Sequence, residues 1–265
     1  MDIRLSAIHL YPVKGIRAVD VSRAHLEPKG LRGDRRWVIV DDQGIFLSQR
    51  IFPRMALIGG DFDGHRLVLY APGLDALSLG IPDGKTRLKV TVWRDTVDAA
   101  AAGPDADIWL SNFLGHPCRL AFMDEACRRR ISSPAGKPKE EVSFADGYPC
   151  LVISTASLAD LNARLEKPLP MDRFRPNLVV DGCGPFAEDG WRKIAVGDTV
   201  LRFAGLCARC SVTTVDQGSG RRTSAEPLET LATFRQRENG VVFGVNLIPE
   251  EAGVINVGDP VKILE

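Results

Sequence analysis

Short runs of β-branched and aliphatic residues, bounded by Gly, Pro or Asp, dominate the hydrophobic pattern of this chain. They predict strands at 66–71, 86–93, 150–154, 177–180, 199–204, 241–248 and 261–264. Two similar segments, 194–200 and 255–261, each place Val-Gly-Asp before a new strand. Gly and Asp favour tight turns, so this repetition predicts equivalent corners of a barrel.

Helical periodicity is confined to a few segments. Leucines recur at helical spacing in 157–166, with Ser154 and Thr155 as candidate N-terminal caps. A second helix is predicted over 227–238 and a shorter one over 105–115. Because these helices do not alternate regularly with the strands, the predicted fold class is α+β, rich in β-structure and built on barrels.

The segment 124–149 is polar, charged and rich in Gly and Pro, which predicts a long loop or a linker between two halves. A loop of that length in a compact protein is either functional or disordered. Its basic run Arg128–Arg130 predicts a solvated surface or a docking site for an acidic partner.

Composition narrows the classes of partner. The chain has 265 residues and a formal net charge of +0, so no nucleic acid is expected and a charged ligand must be held by a local patch. The sequence contains neither a signal-peptide pattern nor an apolar run long enough to span a membrane. A cytoplasmic protein with reduced cysteines is therefore expected.

Cys207 and Cys210 form a C-x-x-C motif. A thioredoxin-like motif would open a helix, but the following SVTTV (211–215) is typical of a strand. A closed zinc site needs four ligands, and the histidines lie singly and far from the motif. The remaining interpretations are a single thiolate ligand to a soft metal at Cys210, with Cys207 as its packed neighbour, or two small buried hydrophobic residues.

Several motifs extend this picture across nearly the whole chain. They include YPVKG (11–15), GLRGDRRWVIVD (30–41), SQRIFPRMALI (48–58), DRFRPNLVVDG (172–182) and CARCSVTTVDQGSG (207–220). Together these segments resemble the MOSC family, in the branch that contains the mitochondrial amidoxime-reducing component and its bacterial relatives. The resemblance implies an N-terminal β-barrel-like domain over 1–120 and a MOSC β-barrel domain with a few flanking helices over 121–265.

The resemblance also implies a cofactor and a set of site residues. In this branch the second cysteine of the motif ligates molybdenum, which makes Cys210 the metal ligand and a catalytic residue of a molybdenum–molybdopterin cofactor. Positions that match cofactor-binding residues, several of them cations suited to its phosphate, are Lys14, Gly15, Arg35, Arg175, Asn177 and Arg209. Asp146 matches an acidic position and is the candidate proton source, although a turn before Gly147 would equally explain it.

The activity implied by the resemblance is reduction of N-hydroxylated compounds (hydroxylamines, amidoximes and N-hydroxylated bases) to amines or amidines, a detoxification reaction. No cysteine-rich iron–sulfur motif is present, so the electrons are expected from a separate ferredoxin or flavoprotein reductase. A sulfur carrier with a persulfide, or a carrier of the cofactor, is the alternative.

Bland interpretations of individual residues also stay open. Lys14 and Arg35 could be exposed strand ends, Asp34 with Arg35 could form a surface ion pair, and Asp216 is expected to cap a turn with Gly218.

Overall fold

The fold is β-rich, with few helices. The computed structural model describes residues 2–238 and 240–265. Its strands are β1 (Arg4–Leu10), β2 (Val19–Val21), β3 (Arg23–Glu27), β4 (Gly30–Leu31), β5 (Trp37–Val40), β6 (Gly59–Phe62), β7 (Arg66–Ala71), β8 (Leu74–Gly80), β9 (Arg87–Val92), β10 (Asp95–Ala101), β11 (Arg119–Phe122), β12 (Cys150–Ser154), β13 (Leu178–Asp181), β14 (Lys193–Val196), β15 (Thr199–Ala208), β16 (Val215–Asp216), β17 (Arg221–Arg222), β18 (Gln236–Arg237), β19 (Gly240–Glu251), β20 (Gly253–Asn256) and β21 (Val261–Ile263). The α-helices are α1 (Pro104–Leu114), α2 (Thr155–Asn162) and α3 (Leu228–Arg235), and 3-10 helices cover Pro53–Leu57, Met171–Arg173, Ala187–Gly190 and Ser211–Thr214.

A large mixed sheet combines strands from the second half of the chain with β1 and β2. Its strand order is β2-β1-β13-β12-β19-β15-β14-β21. Strand β12 is buried along its whole length, as its uninterrupted apolar sequence requires of an interior strand. One core cluster, which includes Leu5, Val152, Leu178 and Leu247, packs on this sheet.

Smaller sheets build the barrel-like N-terminal domain. Their orders are β5-β11-β10-β9 and β6-β7-β8. Strand β7 alternates as a half-buried strand should, with Leu67 and Leu69 buried and Arg66 exposed. Helix α1 covers a core that contains Trp37 and Leu110, and it ends at Gly115 in the left-handed conformation that suits a C-terminal cap.

The strand and helix predictions are confirmed with shifted boundaries. The predicted strands correspond to β7, β9, β12, β13, β15, β19 and β21. The helix predicted over 157–166 begins at Thr155, because the Ser154 side chain accepts the Ser157 N–H as an N-terminal cap. The helix predicted over 227–238 ends at Arg235, where the chain turns into β18.

The first two strands join the large sheet, where β1 pairs with β13 and β2 pairs with β1. Strand β3 instead pairs with β20 in a separate sheet of order β20-β3-β4. The Val-Gly-Asp turns also meet here, because Gly197 N–H donates to Pro260 O at 3.2 Å. This pairing brings the segment 11–15 beside β13. The predicted domain boundary near residue 120 stays a prediction.

The segment 124–149 is an irregular, packed loop. It contains one isolated bridge, Arg130 to Glu141, and buries Val142 and Phe144. It therefore forms part of the core. Within the described part of the chain, no helix is both long and apolar enough to cross a membrane.

Candidate active site

A cavity of about 880 Å³, counting the solvent at its mouth, opens where the N-terminal loops meet the large sheet. All eight residues predicted from the sequence line it: Lys14, Gly15, Arg35, Asp146, Arg175, Asn177, Arg209 and Cys210. The structure therefore brings together positions that lie up to about 200 residues apart in sequence. What each of these residues does there stays a prediction.

Tyr11 is buried in contact with two arginines of the pocket lining. The guanidinium carbons of Arg35 and Arg175 lie 4.3 and 4.2 Å from the centroid of its ring, in the range of cation–π contacts. Both arginines have positive φ, 48° and 57°, a conformation uncommon outside glycine that clusters at functional sites. Burial raises the pKa of Tyr11 to about 12, so its phenol is neutral.

Arg35 is held by the protein itself. Its Nη1 lies 2.5 Å from Asp34 Oδ2 and 3.1 Å from Asn177 Oδ1. Burial alone would lower the pKa of Arg35, but the ion pair with Asp34 raises it above its ordinary value. Asp34 is 1% exposed, so the interpretation as a surface ion pair is wrong. The turn after Leu31 directs Asp34 inward, where it also accepts the Tyr11 N–H at 2.9 Å.

Arg175 has no such support. Among the described residues, no carboxylate or carbonyl accepts a hydrogen bond from its side chain. Burial lowers the pKa of Arg175 to about 10. A desolvated cation without a counterion is costly, so this position suits an anionic ligand.

Lys14 and Asp146 form an ion pair in the pocket wall. Lys14 is 7% exposed, so it is not an exposed strand end, and its Nζ lies 2.5 Å from Asp146 Oδ1. Burial lowers the pKa of Lys14 to about 8. Burial tends to raise the pKa of Asp146, but the Lys14 ammonium and the Trp93 indole N–H, 3.2 Å away, hold it well below its usual range.

This pair bears on the candidate proton source, because a carboxyl group whose pKa is depressed is ionised at neutral pH. The role of Asp146 stays a prediction. The proton of the pair resides on Lys14, whose pKa of about 8 lies close to neutrality.

Arg129 fixes the loop that carries Asp146. It is 3% exposed. Its guanidinium donates to the carbonyls of Ser143, Ala145 and Asp146 and to the Asp95 carboxylate. The basic run is therefore not one solvated surface, because its central arginine is buried.

The sulfur end of the pocket carries both cysteines. Arg50 Nη1 lies 3.4 Å from Cys210 Sγ, whereas Arg209 Nη1 lies 2.9 Å from Cys207 Sγ. The two thiols thus face different guanidinium groups. Arg209 also donates to the Phe174 carbonyl at 2.5 Å, and its buried Nε has no partner in the part of the chain that the structure describes.

The SVTTV segment is not a strand through most of its length. Residues 211–214 form a 3-10 helix, because the Thr213 and Thr214 hydroxyls donate to the Cys210 and Ser211 carbonyls. Such side-chain bonds to nearby carbonyls compete with strand pairing. Asp216 caps the following turn as predicted, by accepting the Ser219 N–H at 2.7 Å.

Asn177 and Gly15 shape the pocket from behind. Asn177 is 1% exposed; its amide oxygen accepts from Arg35 and from Leu151 N–H, and its amide nitrogen donates to His9 O. Gly15 has φ +89°, and a Cβ there would lie 2.6 Å from Met55 Cε.

Sequence reasoning missed Arg50 and Trp93. The guanidinium carbon of Arg50 lies 4.4 Å from the centroid of the Trp93 ring. Arg50 lies in SQRIFPRMALI (48–58), one of the segments that resemble the MOSC family, so the sequence did offer a reason to consider it. Trp93 gave no signal beyond the end of a predicted strand.

Comparison with known proteins identifies the class. The family model for the MOSC N-terminal beta barrel domain matches residues 2–117, and the model for the MOSC domain matches residues 139–262. The chain belongs to the MOSC family.

Two named relatives and one solved structure match this chain over nearly its whole length. Mitochondrial amidoxime-reducing component 1 from Homo sapiens is 35% identical, over 98% of this chain and 82% of that protein. Mitochondrial amidoxime reducing component 2 from Homo sapiens is 32% identical, over 97% and 82%. The YUAD protein from Bacillus subtilis, a solved structure, is 11% identical over 98% of this chain and 94% of that chain, with a TM-score of 0.47.

Proposed function

We propose that this protein is a molybdenum-cofactor-dependent oxidoreductase that reduces N-hydroxylated compounds to amines or amidines. The observation that carries the proposal is one pocket whose lining combines an excess of cations with a thiol, Cys210. Relatives that match over nearly the whole chain and are named amidoxime-reducing components support the same reaction class.

The charge of the pocket fits an anionic cofactor. The cationic side chains that line it are Lys14, Arg35, Arg50, Arg175 and Arg209, whereas Asp146 is the acidic residue in the same lining. Arg forks bind phosphate oxygens through paired hydrogen bonds. Arg175 without a counterion and the unpartnered Nε of Arg209 are the donors with spare capacity.

The sulfur end fits the metal. A thiolate is a soft ligand and suits a metal already bound by the sulfurs of a dithiolene. In this assignment Cys210 binds molybdenum, and Arg50 places a cation 3.4 Å from its sulfur. Cys207 packs against the hydrophobic cluster that contains Phe174, which suits a neighbour better than a second ligand. When bound, the cofactor supplies the two-electron chemistry.

The protein supplies the proton and the orientation. Reduction of an N–O bond consumes two electrons and two protons and releases water, and Lys14 is the protonated group in the pocket wall whose pKa, about 8, suits transfer near neutrality. Asp146 orients that ammonium, and Arg129 orients Asp146.

We extend the proposal to the source of the electrons and to the compartment in which the protein acts. A separate ferredoxin or flavoprotein reductase would deliver the electrons, in the cytoplasm. The six cysteines are free thiols, which is the usual state in a reducing compartment.

The test is turnover of benzamidoxime with reduced methyl viologen, using protein from a host that makes the cofactor. The wild type and Cys207→Ala should form benzamidine, whereas Cys210→Ala should form none while its circular dichroism is unchanged. Turnover by Cys210→Ala would refute the ligand assignment. A molybdenum-free, well-folded wild type with a persulfide on Cys210 would instead support the sulfur carrier.

A further inference from the structure

Four arginines without a carboxylate partner among the described residues surround the turn 48–52, which carries Arg50. They are Arg17, Arg54, Arg221 and Arg222. Elsewhere most cations are paired, as Arg87 is with Asp98 and Asp124. In a chain of zero net charge, this rim is therefore a local positive field.

Contacts place the four arginines together. Arg222 donates to the Arg50 carbonyl. A Cβ on Gly220, next to β17, would lie 3.2 Å from the Arg54 Cα. Arg17 is fixed by its N–H, which donates to Ile58 O at 3.0 Å just after the 3-10 helix Pro53–Leu57.

The centre of this rim is apolar. Ile51 is 75% exposed at the tip of the turn, and the neighbouring Trp93 is 48% exposed. An exposed apolar residue framed by arginines and an aromatic side chain has the composition of a protein–protein interface.

The rim adjoins the metal ligand that we assigned. The turn that exposes Ile51 also carries Arg50, and Arg50 Nη1 lies 3.4 Å from Cys210 Sγ. A protein bound over this turn would be separated from the sulfur of Cys210 by the Arg50 side chain.

We propose that this rim, Arg17, Ile51, Arg54, Arg221 and Arg222, is the docking surface for an acidic redox protein that delivers electrons to the pocket. The inference rests on the proposed function, since only a reductase needs such a donor. Complementary charge steers association and gives a salt-dependent rate.

The test uses the loaded enzyme and an acidic [2Fe–2S] ferredoxin. Arg17→Gln/Arg54→Gln/Arg221→Gln removes three charges from exposed positions outside the pocket lining. The matched control, Arg23→Gln/Arg66→Gln/Lys262→Gln, removes three exposed charges from β3, β7 and β21. Benzamidoxime reduction is followed with ferredoxin and with reduced methyl viologen, and ferredoxin binding is measured separately by calorimetry.

The rim variant should lose about tenfold in kcat/KM for ferredoxin at low ionic strength, and high salt should abolish the difference. Its viologen-driven turnover should equal that of the wild type, and the control should change less than about twofold with either donor. Calorimetry should show the same weakening of ferredoxin binding.

An unchanged ferredoxin affinity in the rim variant, or an equal loss in the control, would overturn the docking surface. A raised KM for benzamidoxime with viologen would also overturn it, because the rim would then serve the substrate. No viologen-driven turnover in the loaded wild type would refute the proposed function instead, and calorimetry would still decide the docking.

Discussion

The two arginines that contact the Tyr11 ring differ in the partners that the protein provides for them. Arg35 is fixed by Asp34 and Asn177, and its pKa is raised. Arg175 also has a positive φ and lies at a similar distance from the ring, yet burial lowers its pKa to about 10. Arg35 therefore serves the fold, whereas Arg175 is left available to pair with an anionic ligand.

Replacing each arginine should change the free energy of unfolding by clearly different amounts. Arg35→Met leaves Asp34 as an unpaired buried charge and should cost about 3–5 kcal/mol of the free energy of unfolding. Arg175→Met removes a desolvated cation and should cost less than about 1 kcal/mol. Urea denaturation of the cofactor-free proteins measures both, and equal losses would contradict the comparison.

The pKa of Lys14 predicts that binding of the anionic cofactor depends on pH. Its folded pKa of about 8 lies below the ordinary 10.5, so the pocket loses a positive charge as the pH rises through 8. Cofactor retention on gel filtration should therefore fall from one pH unit below that value to one unit above it. Lys14→Arg should retain the cofactor at both, and a wild type that is indifferent to pH would refute the role of Lys14.

The stability of the cofactor-free protein should change with pH in the opposite direction to cofactor retention. Between about pH 8 and 10.5 the unfolded chain keeps a proton on Lys14 that the folded protein has released. Stability from this group therefore rises with pH across that window. Urea midpoints of the cofactor-free wild type, compared with those of Lys14→Met, should show this rise in the wild type alone.

The smallest effect concerns the pocket mouth. Trp93→Phe removes the indole N–H from Asp146 but keeps an aromatic ring beside Arg50. The loss should be about 0.5–1.5 kcal/mol in stability, with Asp146 still ionised through Lys14. Trp93→Ala, which removes the ring as well, should have a lower benzamidoxime turnover than Trp93→Phe. Equal turnover of the two variants would show that the contact between Arg50 and the Trp93 ring does not contribute to activity.

Local patterns predicted much of the fold and little of the geometry of the site. Alternation and β-branched runs located β7 and β12, because burial on one or both faces is written into each strand. The pairing of β1 with β13 joins residues at least 170 positions apart, and no local pattern encodes it.

The site residues came from family resemblance, and their neighbours came from the structure. Asp34 beside Arg35 suggested an exposed pair, since charged side chains are mostly solvated. Its burial depends on the turn that meets Tyr11 N–H. Likewise Arg129 in a basic run gave no hint that three carbonyls would surround it.

We propose Cys210 as the ligand that holds the molybdenum. Elemental analysis of protein from a cofactor-producing host tests this assignment directly, with Cys207→Ala as the matched control. We expect close to stoichiometric molybdenum in the wild type and in Cys207→Ala, and clear loss in a folded Cys210→Ala. Full molybdenum in Cys210→Ala, or loss confined to Cys207→Ala, would contradict it.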